Sequence, residues 1–170
     1  MKKLIPLAFF SWLCFVKVAV GQHAESIHWV SFEKAIELNK TEPRKIFVDL
    51  YTDWCGWCKK MDKTSFEDSA VVAYMNCKYY AVKFNAERCD TIRFQGRVFT
   101  CQTGSRTNDF AIALMNNKLD GYPSSAYLNE KGELLSYYSG YIPADNLLQI
   151  LTYFGDDWHM KMSWEDYQKH

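Results

Sequence analysis

Two cysteines, Cys55 and Cys58, stand two residues apart in Trp54-Cys55-Gly56-Trp57-Cys58, where the apolar run Ile46–Tyr51 gives way to polar, helix-forming residues. Thiol–disulfide exchange needs one thiolate at working pH and a second thiol close enough to resolve the mixed disulfide. Two intervening residues on the first turn of a helix supply that reach. A cysteine at the helix start feels unpaired N–H groups and the positive end of the dipole, both of which lower a thiol pKa. Cys55 is therefore the expected nucleophile. Cys58, one turn further in and more shielded, is the expected resolving thiol. Two other readings stay open at this point: a structural disulfide, or half of a zinc site. Zinc wants two more ligands at matching spacing. No second pair exists, and His23, His28, His159 and His170 are remote in sequence. No metal and no cofactor are expected.

Asp49 interrupts the apolar run ahead of Cys55. Desolvation inside a strand raises a carboxyl pKa, and an acid so placed can accept the proton that Cys58 loses. A solvent-facing strand-end aspartate is the plainer alternative. Lys83 interrupts the next apolar run in the same manner, either as a partner for Asp49 or as a strand-edge lysine. Tyr122-Pro123 opens a later strand. Such a bond takes the cis form at modest cost and would bring a backbone edge beside the Cys pair, onto which a substrate pairs as an added strand. Trp54 and Trp57 flank the cysteines, either as an apolar platform for an unfolded or peptide substrate or as ordinary packing.

Cys89 and Cys101 bracket a short hairpin, Ile92–Phe99, that turns at Gln95-Gly96. If Phe94 faces Arg97, the extended ladder pairs Asp90 with Cys101 and Cys89 with Gln102. The two cysteines then fall one residue out of register, on opposite faces. A Cys89–Cys101 disulfide needs a bulge or strands that end earlier. Cys77, at a helix end, reads as a buried free thiol.

The elements that must hold these residues follow from periodicity and punctuation. Trp29–Leu38 reads as a helix with Ser31 as a plausible cap. Ile46–Tyr51 is a strand covered on both faces. Thr52 and Asp53 make a turn and offer caps to a helix from about Cys55 to Asp62. Asp68 or Ser69 caps a second helical stretch, 70–76, and Tyr79–Asn85 alternates as a strand. Asp109–Asn117 is helical, Ser125–Leu128 and Glu133–Tyr138 are hairpin strands around Asn129–Gly132, and Pro143 opens a last helix that Gly155 ends. The order α, β, α, β, hairpin, α, β, β, α implies a mixed central sheet with helices on both faces, an α/β fold.

Composition bounds the setting. The chain has 170 residues, 48% hydrophobic and 16% aromatic, enough for one domain with a real core. No basic block suggests nucleic acid. Lys2, Lys3, the apolar stretch 4–16 and Ala19-Val20-Gly21 form a secretory leader, 1–21, with the cut expected after Gly21. Lys17 interrupts the apolar stretch before the roughly 20 residues a membrane span needs, so no stable membrane insertion is expected after cleavage. Removing Lys2, Lys3 and Lys17 from the 20 basic residues leaves 17 against 20 acidic ones, a net charge of −3. A periplasmic or secreted location follows, where disulfides persist. Five cysteines remain in the mature chain, so at least one lacks an internal partner.

The stretch VDLYTDWCGWCKKM resembles the active site of the thioredoxin superfamily, and the likeness extends over roughly Trp29–Phe154. It is especially similar to secreted bacterial thioredoxin-like proteins and to the C-terminal domain of the periplasmic transmembrane thiol reductase. The resemblance implies a thioredoxin-like domain at 22–155, a small hairpin insertion at about 87–107 foreign to minimal thioredoxin, and an aromatic tail at 156–170. It puts Asp49 on the family's buried acid, Lys83 on its partner lysine, Tyr122-Pro123 on the cis-proline loop and Gly140 on the glycine of the last strand. It implies a Cys55–Cys58 redox disulfide, with Trp54, Gly56, Trp57, Tyr122 and Pro123 contacting substrate. Its partners would be protein thiols and disulfides together with a redox partner protein. Gly56-Trp57 stands where thioredoxin has Gly-Pro, and Ser124 follows the proline where Thr is usual.

The expected function is exported thiol–disulfide exchange, as a reductase or isomerase rather than a strong oxidant. A non-catalytic polypeptide-binding module on the same fold is the competing reading. A thiol peroxidase is disfavoured, because no arginine or threonine set surrounds the cysteine.

Overall fold

The computed structural model describes residues 26–169; the expected leader and its cut after Gly21 lie outside them. A five-stranded sheet is built from β1 (Trp29–Val30), β2 (Lys45–Tyr51), β3 (Tyr79–Asn85), β6 (Ser124–Leu128) and β7 (Leu134–Ser139), in the order β1-β3-β2-β6-β7. β3 runs parallel to β1 and β2, whereas β6 is antiparallel to β2 and to β7. The parallel centre explains the continuous apolar reading of β2, which is buried from Lys45 to Leu50. β4 (Ile92–Phe94) and β5 (Arg97–Phe99) form a separate hairpin.

The alternation of β2 divides two cores. Ile46, Val48 and Leu50 face a layer made by α1 (Phe32–Asn39), the β4–β5 hairpin and α4 (Asp109–Leu114), packed through Phe32, Ile92, Phe99 and Phe110. Phe47 faces the opposite layer, made by α2 (Gly56–Lys63), α3 (Ser69–Lys78) and α5 (Ala144–Gly155), through Met61, Val71, Met75, Leu147 and Leu151. Asp49 shares the parity of Phe47, so it lies on the α2 side of the sheet.

Capping sets where the helices begin. Ser31 accepts the Lys34 N–H, Asp68 accepts those of Ala70 and Val71, and Asn108 accepts that of Phe110. Trp29 and Val30 belong to β1 rather than to the first helix, because they pair in parallel with Ala81 and Val82. Pro143 is the N-cap of α5 instead of its first helical residue. The α4 helix ends at Leu114, earlier than expected, because Asn116 and Asn117 take positive φ. The tail is folded: a 3₁₀ turn (Trp158–Met160) and α6 (Trp164–Tyr167) return onto α5, with Trp164 and Tyr167 each 5.1 Å from the Tyr153 ring. Among the described residues, no helix is long and apolar enough to cross a membrane.

Candidate active site

The β2–α2 junction brings the Cys pair to the end of the sheet. Cys55 itself is the N-cap of α2, and its Sγ accepts the Cys58 N–H at 3.0 Å. Thr52 and Asp53, the expected caps, serve elsewhere. The Thr52 carbonyl accepts the Cys55 N–H, and the Asp53 carboxylate accepts from Asn85 Nδ2 at the end of β3. Cys55 and Cys58 are joined by a disulfide, and each residue is 3% exposed. The expected difference in shielding between them is therefore absent in the bridged state. Their difference is positional: Cys55 sits outside the helix facing its free N–H groups, while Cys58 is inside the first turn.

Asp49 is 2% exposed and is the register partner of Lys83 on β3, with Lys83 Nζ 3.5 Å from its Oδ2. Among the described residues, that oxygen has no hydrogen-bond partner. Burial raises the carboxyl from 3.8 to about 7, against the Lys83 ammonium, which pulls it down. A third charge, Asp62, was not singled out from the sequence. It lies on α2 one turn beyond Cys58, also binds Lys83 Nζ, and pushes Asp49 further up. The signal was available: Cys58 and Asp62 are four apart and share a helix face. Lys83 is held by rings as well as by acids, its Nζ lying 5.1 Å from Trp29, 5.4 Å from Tyr51 and 5.5 Å from Phe66. The short β1 thus positions one wall of the cage.

The rim is aromatic. Trp54 is 65% exposed and packs edge-on against Tyr122 at 6.0 Å. Trp57 is 56% exposed and packs on Tyr141 at 5.6 Å, with Lys60 Nζ over both rings. Gly56, between the cysteines, faces open space. The Tyr122-Pro123 bond is cis. Gly140, at φ +112°, donates its N–H to the Pro123 carbonyl at 2.7 Å, so that carbonyl already has a partner within the sheet. Ser124 Oγ donates to the Gly121 carbonyl and closes the same loop.

Cys89 and Cys101 form a second disulfide. The hairpin register is Phe94 opposite Arg97, as expected, but the ladder stops at Ile92 and Phe99. Beyond that point the cysteines are released from the alternation that would set them on opposite faces. Cys77 is free but exposed, contrary to the expected burial, because α3 packs through Val71, Val72 and Met75 and turns Cys77 outward. Among the described residues, no cluster of three His, Cys, Asp or Glu side chains is arranged to hold a metal.

A family model described as a thioredoxin-like domain matches residues 32–155. The thiol:disulfide interchange protein DsbD of Pseudoalteromonas atlantica is 32% identical over 65 residues, which are 38% of this chain and 11% of that protein. The chain thus spans about a tenth of the length of the curated relatives it matches. Among solved structures, a proposed disulphide-isomerase from Bacteroides thetaiotaomicron is 26% identical with a TM-score of 0.54, covering 76% of this chain and 93% of its own. The DsbH oxidoreductase has the same TM-score at 18% identity, over 76% and 85% of the two chains, and shares the fold alone.

Proposed function

The chain belongs to the thioredoxin-like domain family, and from that membership we propose that it is an exported protein thiol–disulfide oxidoreductase, working as a reductase or isomerase rather than as a strong oxidant. The observation that carries the reading is a Cys-x-x-Cys pair whose first member caps a helix, with a desolvated carboxylate on the sheet beneath that helix.

In the reduced protein, the Cys55 thiolate attacks one sulfur of a substrate disulfide, and the other substrate sulfur leaves as a thiolate. Helix N–H groups favour the charged form of Cys55. Cys58 then attacks the Cys55 sulfur of the mixed disulfide. Its proton passes to Asp49, whose pKa of about 7 suits an acceptor at neutral pH. The products are the Cys55–Cys58 disulfide and a substrate dithiol. Lys83 and Asp62 set how readily Asp49 takes that proton. Trp54, Trp57 and Tyr122 supply apolar contact to the polypeptide around the substrate cysteines, with Gly56 leaving room between them. A redox partner protein restores the dithiol. Export is supported by the leader composition of residues 1–21 and by the wealth of cysteine beyond it.

The deciding experiment is reduction of insulin disulfides by the full chain. Cys55→Ser is expected to abolish it, and Cys58→Ser to accumulate mixed disulfides. Undiminished turnover by Cys55→Ser would sink the proposal. A reduction potential near thioredoxin's, about −270 mV, marks a reductase, and one near −180 mV marks an isomerase.

The exposed aromatic rim also favours a second reading, a module that holds polypeptide without exchanging electrons. In that case the Cys55–Cys58 bridge survives mild reductant while binding persists.

A further inference from the structure

The insertion closes a ring beside the Cys pair. Its first residue, Glu87, accepts the Trp54 indole N–H at 3.0 Å, and near its far end Arg106 pairs with the same Glu87 carboxylate at 3.7 Å. Between these two contacts the chain is stapled by Cys89–Cys101. Covalent bridge, ion pair and indole contact thus form one continuous loop of interactions ending on the residue next to Cys55.

The staple is not what holds the insertion to the domain. Asn108, fully buried, donates its side-chain amide to the carbonyls of Arg88 and Asp90. Backbone bonds join Asn108 to Ala86 and Asp109 to Thr100, and Thr100 Oγ1 donates to the Cys89 carbonyl. Ile92 and Phe99 are buried in the core beside Phe110. None of these anchors involves a sulfur atom. Cys89 is exposed and Cys101 is only half-buried. Exposed bridges are the ones that reducing thiols reach, whereas stabilising ones are typically resistant.

We propose that Cys89–Cys101 is a second redox-active disulfide, exchanging with external thiols and governing the Trp54 side of the active-site rim through Arg106 and Glu87. A thiolate attacks the sulfur of Cys89, the more exposed of the two residues, the S–S bond breaks and Cys101 leaves as a thiolate, taking a proton from water. A second thiol displaces Cys89 from the mixed disulfide. Two thiols of the reductant end as one disulfide, and two electrons reside on the Cys89/Cys101 dithiol. With the bridge open, Cys89 and Cys101 are held only by the non-covalent contacts named above, and the Arg106–Glu87 pair, whose arginine is 83% exposed, loses the covalent closure of its loop. Glu87 then no longer holds the indole in one orientation. The exchange itself stands independently of the proposed function; only its effect on turnover rests on that reading.

The test uses the full chain carrying Cys55→Ala and Cys58→Ala, with Cys77 alkylated beforehand, titrated with glutathione in native buffer. Alkylation and mass analysis are expected to show Cys89 and Cys101 reduced while far-UV circular dichroism is unchanged. Tryptophan fluorescence is expected to shift in step, and the shift to vanish when Trp54→Phe is added. A bridge that opens only in denaturant overturns the proposal, as does reduction with no Trp54-dependent signal. In the chain retaining Cys55 and Cys58, Cys89→Ala/Cys101→Ala is expected to change kcat/KM for a disulfide peptide by about threefold or more, within the range that rim contacts command. If that constant stays unchanged although glutathione opens the bridge, the coupling to the active site is overturned. Loss of insulin reduction by Cys55→Ser remains a separate outcome that judges the function alone.

Discussion

Asp49 and Lys83 are register partners on adjacent parallel strands, yet the lysine does not belong to the aspartate alone. Its ammonium lies 3.5 Å from Asp49 and also binds Asp62 on α2. The buried carboxylate therefore receives only part of the charge that would neutralise it. Desolvation wins, and the carboxyl rises to about 7.

That rise has opposite effects on stability and activity. Unfolded, the carboxyl titrates near 3.8; folded, near 7. The native chain binds the extra proton between those values, so the contribution of Asp49 to stability is intact below about 3.8 and falls as pH climbs to about 7. Asp49→Asn removes the buried charge. It should raise Tm by roughly 5 °C at about pH 8 and leave it nearly unchanged at about pH 4. The same variant should slow resolution of mixed disulfides about 100-fold at neutral pH, since a positioned base is lost. Calorimetry at the two pH values and single-turnover kinetics check both halves. An equal Tm gain at both pH values would remove Asp49 from the titration.

Asp62 and Lys83 should move the pH profile in opposite directions. Asp62→Asn removes a repelling charge and leaves Lys83 to Asp49, so the acid limb of the resolving step should shift to lower pH. Lys83→Met removes the attraction and should shift it to higher pH. Rates of mixed-disulfide resolution across pH measure both shifts. A shift in the same direction for the two variants would contradict the shared-lysine geometry.

Lys45 separates stability from chemistry. It begins β2, far along the strand from the Cys pair, and is 4% exposed. Its ammonium binds Glu130 at 2.8 Å and Asp157 at 2.7 Å, which ties the β6–β7 turn and the tail to the sheet. Removing one partner from a fully buried pair costs about 3–5 kcal/mol. Here the acids are 42% and 51% exposed and regain water, so Lys45→Met should cost roughly 2 kcal/mol. Urea melts should show that loss with insulin reduction per folded molecule unchanged.

What the sequence made legible divides along physical lines. The run Tyr79–Asn85 was bounded to the residue by its alternation, and Ile46–Tyr51 to within one because a strand covered on both faces leaves a nearly continuous apolar signal broken only by Asp49. The hairpin was legible from Gln95-Gly96, whose two positive φ angles suit a tight turn. β1 was not, since two residues joined in parallel to a distant strand carry no period of their own. Cys55 as a cap was missed because Thr52 and Asp53 offer better side-chain oxygens. Only the fold shows that Asp53 is occupied by Asn85. The misplacement of Cys77 has the same origin: a helix-end residue takes its exposure from what packs on the helix, not from its own type. Glu87 acts through Trp54, 33 residues away, and no local pattern reports such a contact; for Asp62 the i,i+4 spacing from Cys58 was legible, but its bond to Lys83, 21 residues away, was not.

The aromatic rim makes a prediction that separates its two sides. Trp57 packs on Tyr141 under the Lys60 ammonium. Its indole is presented to a substrate before and after the sulfur exchange alike, so it should contribute uniform binding. Trp57→Ala should then raise KM for a disulfide peptide with an aromatic neighbour about 3- to 10-fold, the range expected for one aromatic pair, with kcat nearly unchanged. Trp57→Phe should restore most of the loss. Trp54 differs because it adjoins Cys55 and is tethered through Glu87. A substitution there should disturb the orientation of the attacking sulfur and lower kcat as well. Steady-state kinetics on the three variants decide the matter. A fall in kcat for Trp57→Ala equal to that for Trp54→Ala would show that both rings position the disulfide rather than the substrate chain.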